Sequence, residues 1–133
     1  MNLAELHRLH HLPFFELLKQ ARAVHEKNWP EREVQLCTLL SIKTGGCSED
    51  CGYCAQSARY STGLQSEKLM EKADVMEKAR AAKENGSTRF CMGAAWKGVR
   101  QGTAKFDQVL DIVREVSTLG MEVCVTLGEL GGE

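Results

Sequence analysis

Cys47, Cys51 and Cys54 lie in the stretch GGCSEDCGYCAQS (residues 45–57) with the spacing C-x3-C-x2-C. Three thiols this close are suited to iron–sulfur chemistry, and Gly45, Gly46 and Gly52 let the backbone fold around an inorganic core. A structural zinc site takes four ligands, usually from two separated C-x2-C knuckles. Only Cys51 and Cys54 form such a pair, so a zinc reading needs a distant fourth ligand such as Cys37 or His25. A ferredoxin-type run would bring a fourth cysteine nearby, whereas residues 55–59 read Ala-Gln-Ser-Ala-Arg. Three thiolates on a four-iron core leave one iron open to an outside ligand.

The elements that position these thiols follow from periodicity. Two helices are expected at about 3–11 and 13–27, the second starting at Pro13 and carrying Phe14, Leu17, Leu18, Ala21 and Val24 at helical spacing. The segment NWPERE breaks the pattern. VQLCTLLSIK (34–43) reads as a strand buried on both faces, because it is β-rich with little alternation. The cysteine loop follows at 44–61. A helix of about 66–84 comes next, with Ser66 as N-cap, Gly86 as its stop, Leu69, Ala73, Met76 and Ala79 inward, and Asp74 paired with Lys78. STRFCMGA (87–94) is a second strand. Phe106, Val109, Leu110, Val113 and Val116 define a third amphipathic helix ending at Gly120, and MEVCVTL (121–127) is a third strand.

Strand–helix alternation of this kind implies an α/β fold with parallel strands and right-handed crossovers. A closed eight-fold barrel takes about 250 residues, and 133 residues suffice for one domain only. The expected fold is the N-terminal part, about three strand–helix units, of a parallel (β/α) TIM-type barrel, preceded by two helices. The boundaries are 1–33 for the helical extension and 34–133 for the incomplete barrel. The triad then sits after the first strand, at the C-terminal end where barrel enzymes keep their chemistry. Cys91 in the second strand and Cys124 in the third can aim into one interior, or each can be a small buried hydrophobe. Cys37 reads as packing, and His7, His10 and His11 as solvated surface. Met70, Met76 and Met92 read as core filling.

Composition narrows the class. Hydrophobic residues at 43% and charged residues at 26% are a globular balance. With 17 basic against 18 acidic residues and no basic block, nucleic acid is set aside as a partner. No apolar run approaches the roughly 18 residues of a membrane helix. The N-terminal MNLAELHRLHHLPFFELL carries Glu5 and Glu16 and lacks the apolar core of a signal peptide. The expected location is the cytoplasm, where cysteines serve as ligands or small side chains rather than disulfides.

An aromatic residue, Tyr53, stands just before the last cysteine of C-x3-C-x2-C, and this motif resembles the radical S-adenosylmethionine superfamily. Within it, LLSIKTGGCSEDCGYCAQSARYSTG and GSTRFCMGAAWK are similar to the biotin synthase family, with the likeness running from about Val34 to Gly128. The resemblance implies a radical S-adenosylmethionine sulfurtransferase that converts dethiobiotin to biotin. Its 4Fe–4S cluster would be held by Cys47, Cys51 and Cys54, with S-adenosylmethionine on the open iron. Tyr53 matches an aromatic residue beside the adenine, and Ala94 and Trp96 match a stretch whose backbone lies by S-adenosylmethionine. Cys91 and Cys124 match two ligands of a 2Fe–2S cluster, the source of the inserted sulfur. An electron-donor protein and a homodimeric full-length enzyme are the implied partners.

The chain departs from that family at its end, LGELGGE. Further strands supplying another cysteine, an arginine and most of the substrate pocket would be expected beyond it, so the chain reads as truncated and inactive alone. The terminal Gly131-Gly132-Glu133 resembles a superfamily motif but follows the wrong strand. Other readings of the same residues are a different radical S-adenosylmethionine enzyme, sulfur-inserting or of the thiazole pathway, and a non-enzymatic iron–sulfur or zinc module.

Overall fold

The structure is a computed structural model that describes residues 1–29 and 34–129. Only Asn28 and Trp29 of NWPERE fall within it, and the terminal Gly131-Gly132-Glu133 lies outside the described residues. The chain divides into two compact units, Met1–Val34 and Gln35–Glu133.

The first unit holds two helices, α1 (Leu3–His10) and α2 (Phe14–Asn28). A capping box starts α1. The Asn2 side chain accepts from the Glu5 N–H at 2.9 Å, and the Glu5 carboxylate accepts from the Asn2 N–H at 2.8 Å. Pro13, at φ −54°, presets the entry into α2. Neither helix contains a buried residue, and the stripe of Phe14, Leu17, Leu18 and Val24 is exposed. His7, His10 and His11 are exposed as expected.

The second unit is an α/β layer. Strands β1 (Cys37–Lys43), β2 (Arg89–Ala94) and β3 (Glu122–Thr126) form a parallel sheet in the order β1-β2-β3, linked through α3 (Lys72–Glu84) and α4 (Ala104–Ser117). Such connections are long because parallel neighbours must be rejoined from opposite ends. Thr103 caps α4, its hydroxyl accepting from the Phe106 N–H at 3.4 Å. One core holds the unit together. Ile42, Phe90 and Met92 of the sheet pack with Val75, Met76 and Ala79 of α3 and Val109, Ile112 and Val116 of α4.

Expectations change for three elements. The first strand begins at Cys37 and is not buried on both faces: Ile42 is buried, whereas Leu39 is 74% exposed. Side chains alternate across a strand, and α3 and α4 cover one face only. Helix α3 starts at Lys72 rather than Ser66, because residues 66–71 are not helical and bond to the end of β1 instead, with the Met70 N–H donating to the Ile42 carbonyl at 2.8 Å. Its buried stripe is Val75, Met76, Ala79 and Ala82, leaving Ala73 exposed, and Lys78 pairs with Glu77 at 3.7 Å rather than with Asp74. Ile112, absent from the expected stripe of α4, is fully buried. Among the described residues, no helix is long and apolar enough to cross a membrane.

The one-sided core predicts opposite outcomes for two neighbouring apolar residues. Phe90→Ala is expected to lower the unfolding free energy by about 3–5 kcal/mol. Leu39→Ala is expected to change it by less than ~0.5 kcal/mol. Urea midpoints of the two variants check this.

Candidate metal centre

The cysteine loop leaves the C-terminal end of β1 and folds back on itself. Cys47 bridges to Ser57: its N–H donates to the Gln56 carbonyl at 2.9 Å, and its carbonyl accepts from the Ala58 N–H at 2.8 Å. A tight turn joins the other two thiols, with the Cys54 N–H donating to the Cys51 carbonyl at 2.9 Å. Ser57, buried, donates its hydroxyl to the Glu49 carbonyl at 2.6 Å. Tyr60 donates to Asp50 Oδ1 at 2.6 Å, and this bond holds the phenol above its ordinary pKa. The loop is therefore built on its own polar contacts.

Its start is fixed from below. Gly45 and Gly46 have φ +66° and +65°, which a side chain rarely tolerates, and a Cβ on Gly45 would meet the Gln65 carbonyl oxygen at 2.7 Å. The Gly45 N–H donates to Gln56 Oε1 at 2.6 Å. Lys43 is buried at the end of β1, past a register irregularity between Ser41 and Lys43. Its ammonium donates to the Gly45 carbonyl and to the Ala95 carbonyl, the latter at 3.2 Å. The Lys43 carbonyl in turn accepts from the Ala95 N–H at 2.9 Å. One side chain thus joins the loop to the end of β2. On the far side of the loop, Lys97 pairs with Glu49 at 3.1 Å, which raises the lysine pKa.

Cys47 and Cys54 are half-buried, and Cys51 is exposed. Among the described residues, no three His, Cys, Asp or Glu side chains converge tightly enough to hold a single metal ion. Tyr53 is 95% exposed. Ala94 ends β2 and, with Trp96, packs against the core. The Trp96 ring lies 5.7 Å from the Lys105 ammonium and lines a cleft of about 430 Å³ with Lys43, Leu69 and Gln108. No cysteine lines that cleft.

Cys91 and Cys124 stand directly opposite each other in the β2–β3 register. Alternation from Phe90 and Met92 places both on the sheet face away from the core. Cys37 shares that face, and its S–H lies 3.3 Å from Cys91 Sγ. The Cys91 thiol is pushed up to about 12, first by Cys37, then by loss of water and by Cys124. Arg89, on the same face, pairs with Glu122 at 3.2 Å and bonds Gln35 at 3.1 Å, while its buried Nε has no partner. Sequence reasoning missed two of these residues. Lys43 carries no motif of its own, but a lysine ending an apolar strand before two glycines was a usable signal. Cys37, expected to pack, is exposed instead, and its even spacing from Leu39 and Ser41 puts it on the open face.

Comparison with known proteins adds similar sequences to this geometry. The chain is 58% identical over 127 residues to a biotin synthase of Azoarcus sp. (strain BH72), 54% over 129 residues to one of Myxococcus xanthus, and 51% over 126 residues to one of Schizosaccharomyces pombe. These alignments cover 96%, 97% and 95% of the chain. The chain spans only 38%, 37% and 35% of the relatives' own lengths. No protein-family model matches it.

The loop geometry makes Lys43 a structural requirement. Lys43→Met is expected to cost about 1–3 kcal/mol in chemical denaturation, because two carbonyls lose a charged donor. It is also expected to speed alkylation of the Cys47 thiol by iodoacetamide, read by mass spectrometry.

Proposed function

We propose that this chain is the N-terminal portion of a biotin synthase, an enzyme that inserts sulfur into dethiobiotin to form biotin. In this reading residues 34–133 are the opening strand–helix units of a (β/α) barrel and residues 1–33 a helical extension. The observation that carries it is the placement of two thiol sets on one parallel sheet. A C-x3-C-x2-C loop leaves the C-terminal end of β1, and Cys91 and Cys124 are paired on the face that the helices leave open. Barrel enzymes keep their chemistry at strand C-termini, and the similarity to biotin synthases covers nearly all of the chain.

Cys47, Cys51 and Cys54 would hold a 4Fe–4S cluster. The donor set fits: three free thiols, soft ligands suited to iron and sulfide, on a glycine-started turn. Cys91 and Cys124 would give two thiolates to a 2Fe–2S cluster, the source of the inserted sulfur. Held there together with S-adenosylmethionine, the cluster would supply one-electron cleavage of the sulfonium and hydrogen abstraction from unactivated carbon. The protein's own task is to position and to exclude water. Lys43 and Gln56 fix where the loop begins, and Lys97 ties Glu49 to the segment after β2. Tyr53 is free to lie beside the adenine. Because the Trp96 ring packs toward the helices, Ala94 and Trp96 would meet S-adenosylmethionine through their backbone. An electron-donor protein, a homodimeric full-length enzyme and a cytoplasmic location belong to the same reading.

Anaerobic reconstitution of the 133-residue chain with iron and sulfide is expected to load about four irons on the triad. Dithionite should then cleave added S-adenosylmethionine to 5′-deoxyadenosine. Cys51→Ala is expected to lose both properties, and full iron retention in that variant would refute the assignment.

A further inference from the structure

Helix α1 runs into the stretch LHRLHH, which sets His7 and His11 four residues apart with His10 between them. Residues at this spacing share a helix face, and two histidines so placed can grip one metal ion. The rings of His7 and His11 lie 6.2 Å apart, centre to centre, and His10 stands edge-on to His11 at 5.3 Å. Two imidazoles on one tetrahedral ion, each bonded at ~2.0–2.1 Å, have ring centres roughly 5 Å apart. His7 therefore has to swing in by about 1 Å, and its ring is exposed.

The His11 ring is already set. The His7 carbonyl accepts from the His11 backbone N–H at 3.1 Å and from its ring Nδ1 at 2.7 Å. A carbonyl oxygen only accepts, so Nδ1 carries a proton and Nε2 of the neutral ring presents its lone pair. Metal-bound histidines are held in this way, the second ring nitrogen donating to a backbone carbonyl or carboxylate. The three rings line a cleft of about 370 Å³ together with Leu3 and Leu6. This end of the helix favours a cation, because its last carbonyls carry the negative pole of the helix dipole. The Arg8 guanidinium on the same turn opposes one, but it is exposed and screened by solvent.

We propose that His7 and His11 form a two-imidazole site for a divalent transition-metal ion, zinc, nickel or copper(II), at the end of α1. Imidazole favours these ions over magnesium and calcium. Each ring nitrogen replaces one water on the ion, and water fills the remaining positions. The site shares no residue with the two thiol sets, so it does not depend on the proposed function. A bound ion bridges the last turn of α1 and holds it against fraying.

The test uses the reduced 133-residue chain with ¹⁵N-labelled histidine, kept anaerobic at about pH 7.5, above the ordinary imidazole range. Zinc is added past saturation of the thiols, and binding is read by NMR at the ring nitrogens of the 4 histidines. His7 and His11 are expected to shift along one saturation curve, with Nε2 of His11 as the bound atom, while His25 stays unmoved. His7→Gln should weaken zinc binding at His11 by roughly tenfold or more, since the pair gains from the proximity of its second ligand. His11→Gln should do the same at His7, and His10→Gln should leave both unchanged. Glutamine suits a helix, so far-UV circular dichroism should not change in any of the three. Zinc should also slow amide hydrogen exchange at His11 in the parent chain and not in His7→Gln. Separate curves, each indifferent to the other substitution, overturn the pair and leave lone surface imidazoles. An equal loss in His10→Gln, or no shift at His7 and His11, overturns it too. So does an unchanged exchange rate at His11.

Discussion

Side-chain alternation along β2 sets the position of nearly everything else. Phe90 and Met92 point into the helices and are fully buried, so Arg89, Cys91 and Gly93 must point the other way. A slip of one residue would bring Cys91 into the core and turn Phe90 out to solvent. Burying one large apolar side chain is worth about 1.5–3 kcal/mol, and Ile42, Phe90, Met92, Val75, Val109, Ile112 and Val116 are all buried together. The apolar core therefore fixes the register of all three strands, and the adjacency of the thiols is inherited from it. None of the three sheet cysteines need contribute to folding for Cys37, Cys91 and Cys124 to become neighbours.

The cysteine loop depends on the same core through a single buried cation. Ile42 anchors the end of β1, and Lys43 follows it, buried, past the register irregularity. A buried ammonium is costly unless its donors are used. Here the Gly45 and Ala95 carbonyls accept from it, and these lie on the two segments that leave β1 and β2. The cost of burial is offset by joining the start of the loop to the end of the neighbouring strand. Beyond that point the loop has little apolar surface to bury. Hydrogen bonds from Ser57, Tyr60 and Thr62 to loop residues hold its shape instead.

How much of this was legible in the sequence varied with the type of signal. Element types and order were readable throughout the described residues, because Val109 and Val116 recur at helical spacing and Phe90 and Met92 at strand spacing. The faces were harder to assign. The run VQLCTLLSIK looks doubly buried because Leu39, Leu40 and Ile42 are all apolar, yet apolarity alone does not say whether a second layer is present to cover Leu39. The start of α3 is hard to place for a similar reason: Leu69 and Met70 pack on the core from a non-helical segment, although their spacing fits a helix. The close spacing of Cys47, Cys51 and Cys54 on a loop after β1 was legible directly. Lys43 was not, since its role rests on a carbonyl of Ala95, far away in the sequence. The face of Cys37 follows from counting in twos from Leu39, but only once Leu39 is known to lie on the uncovered side.

The two thiol sets differ in what holds them, and this bears on the chemistry each can perform. Cys37, Cys91 and Cys124 project from rigid neighbouring strands, so their spacing is set before any ligand arrives. The cost of ordering them has been met by the core. Cys47, Cys51 and Cys54 project from turns in a mostly exposed loop and do not converge on a single point. A four-iron core spreads its ligands over the corners of a cube, wider than one ion can. The bonds to such a core would supply the restraint the loop lacks, so that binding and local ordering become one event. A loop of this kind is suited to a cluster that must accept an exchangeable outside ligand, because the turn can adjust as that ligand comes and goes. A strand-borne set is suited to a group whose geometry must stay fixed relative to a substrate. The same small sheet therefore carries one compliant set of thiols and one rigid set.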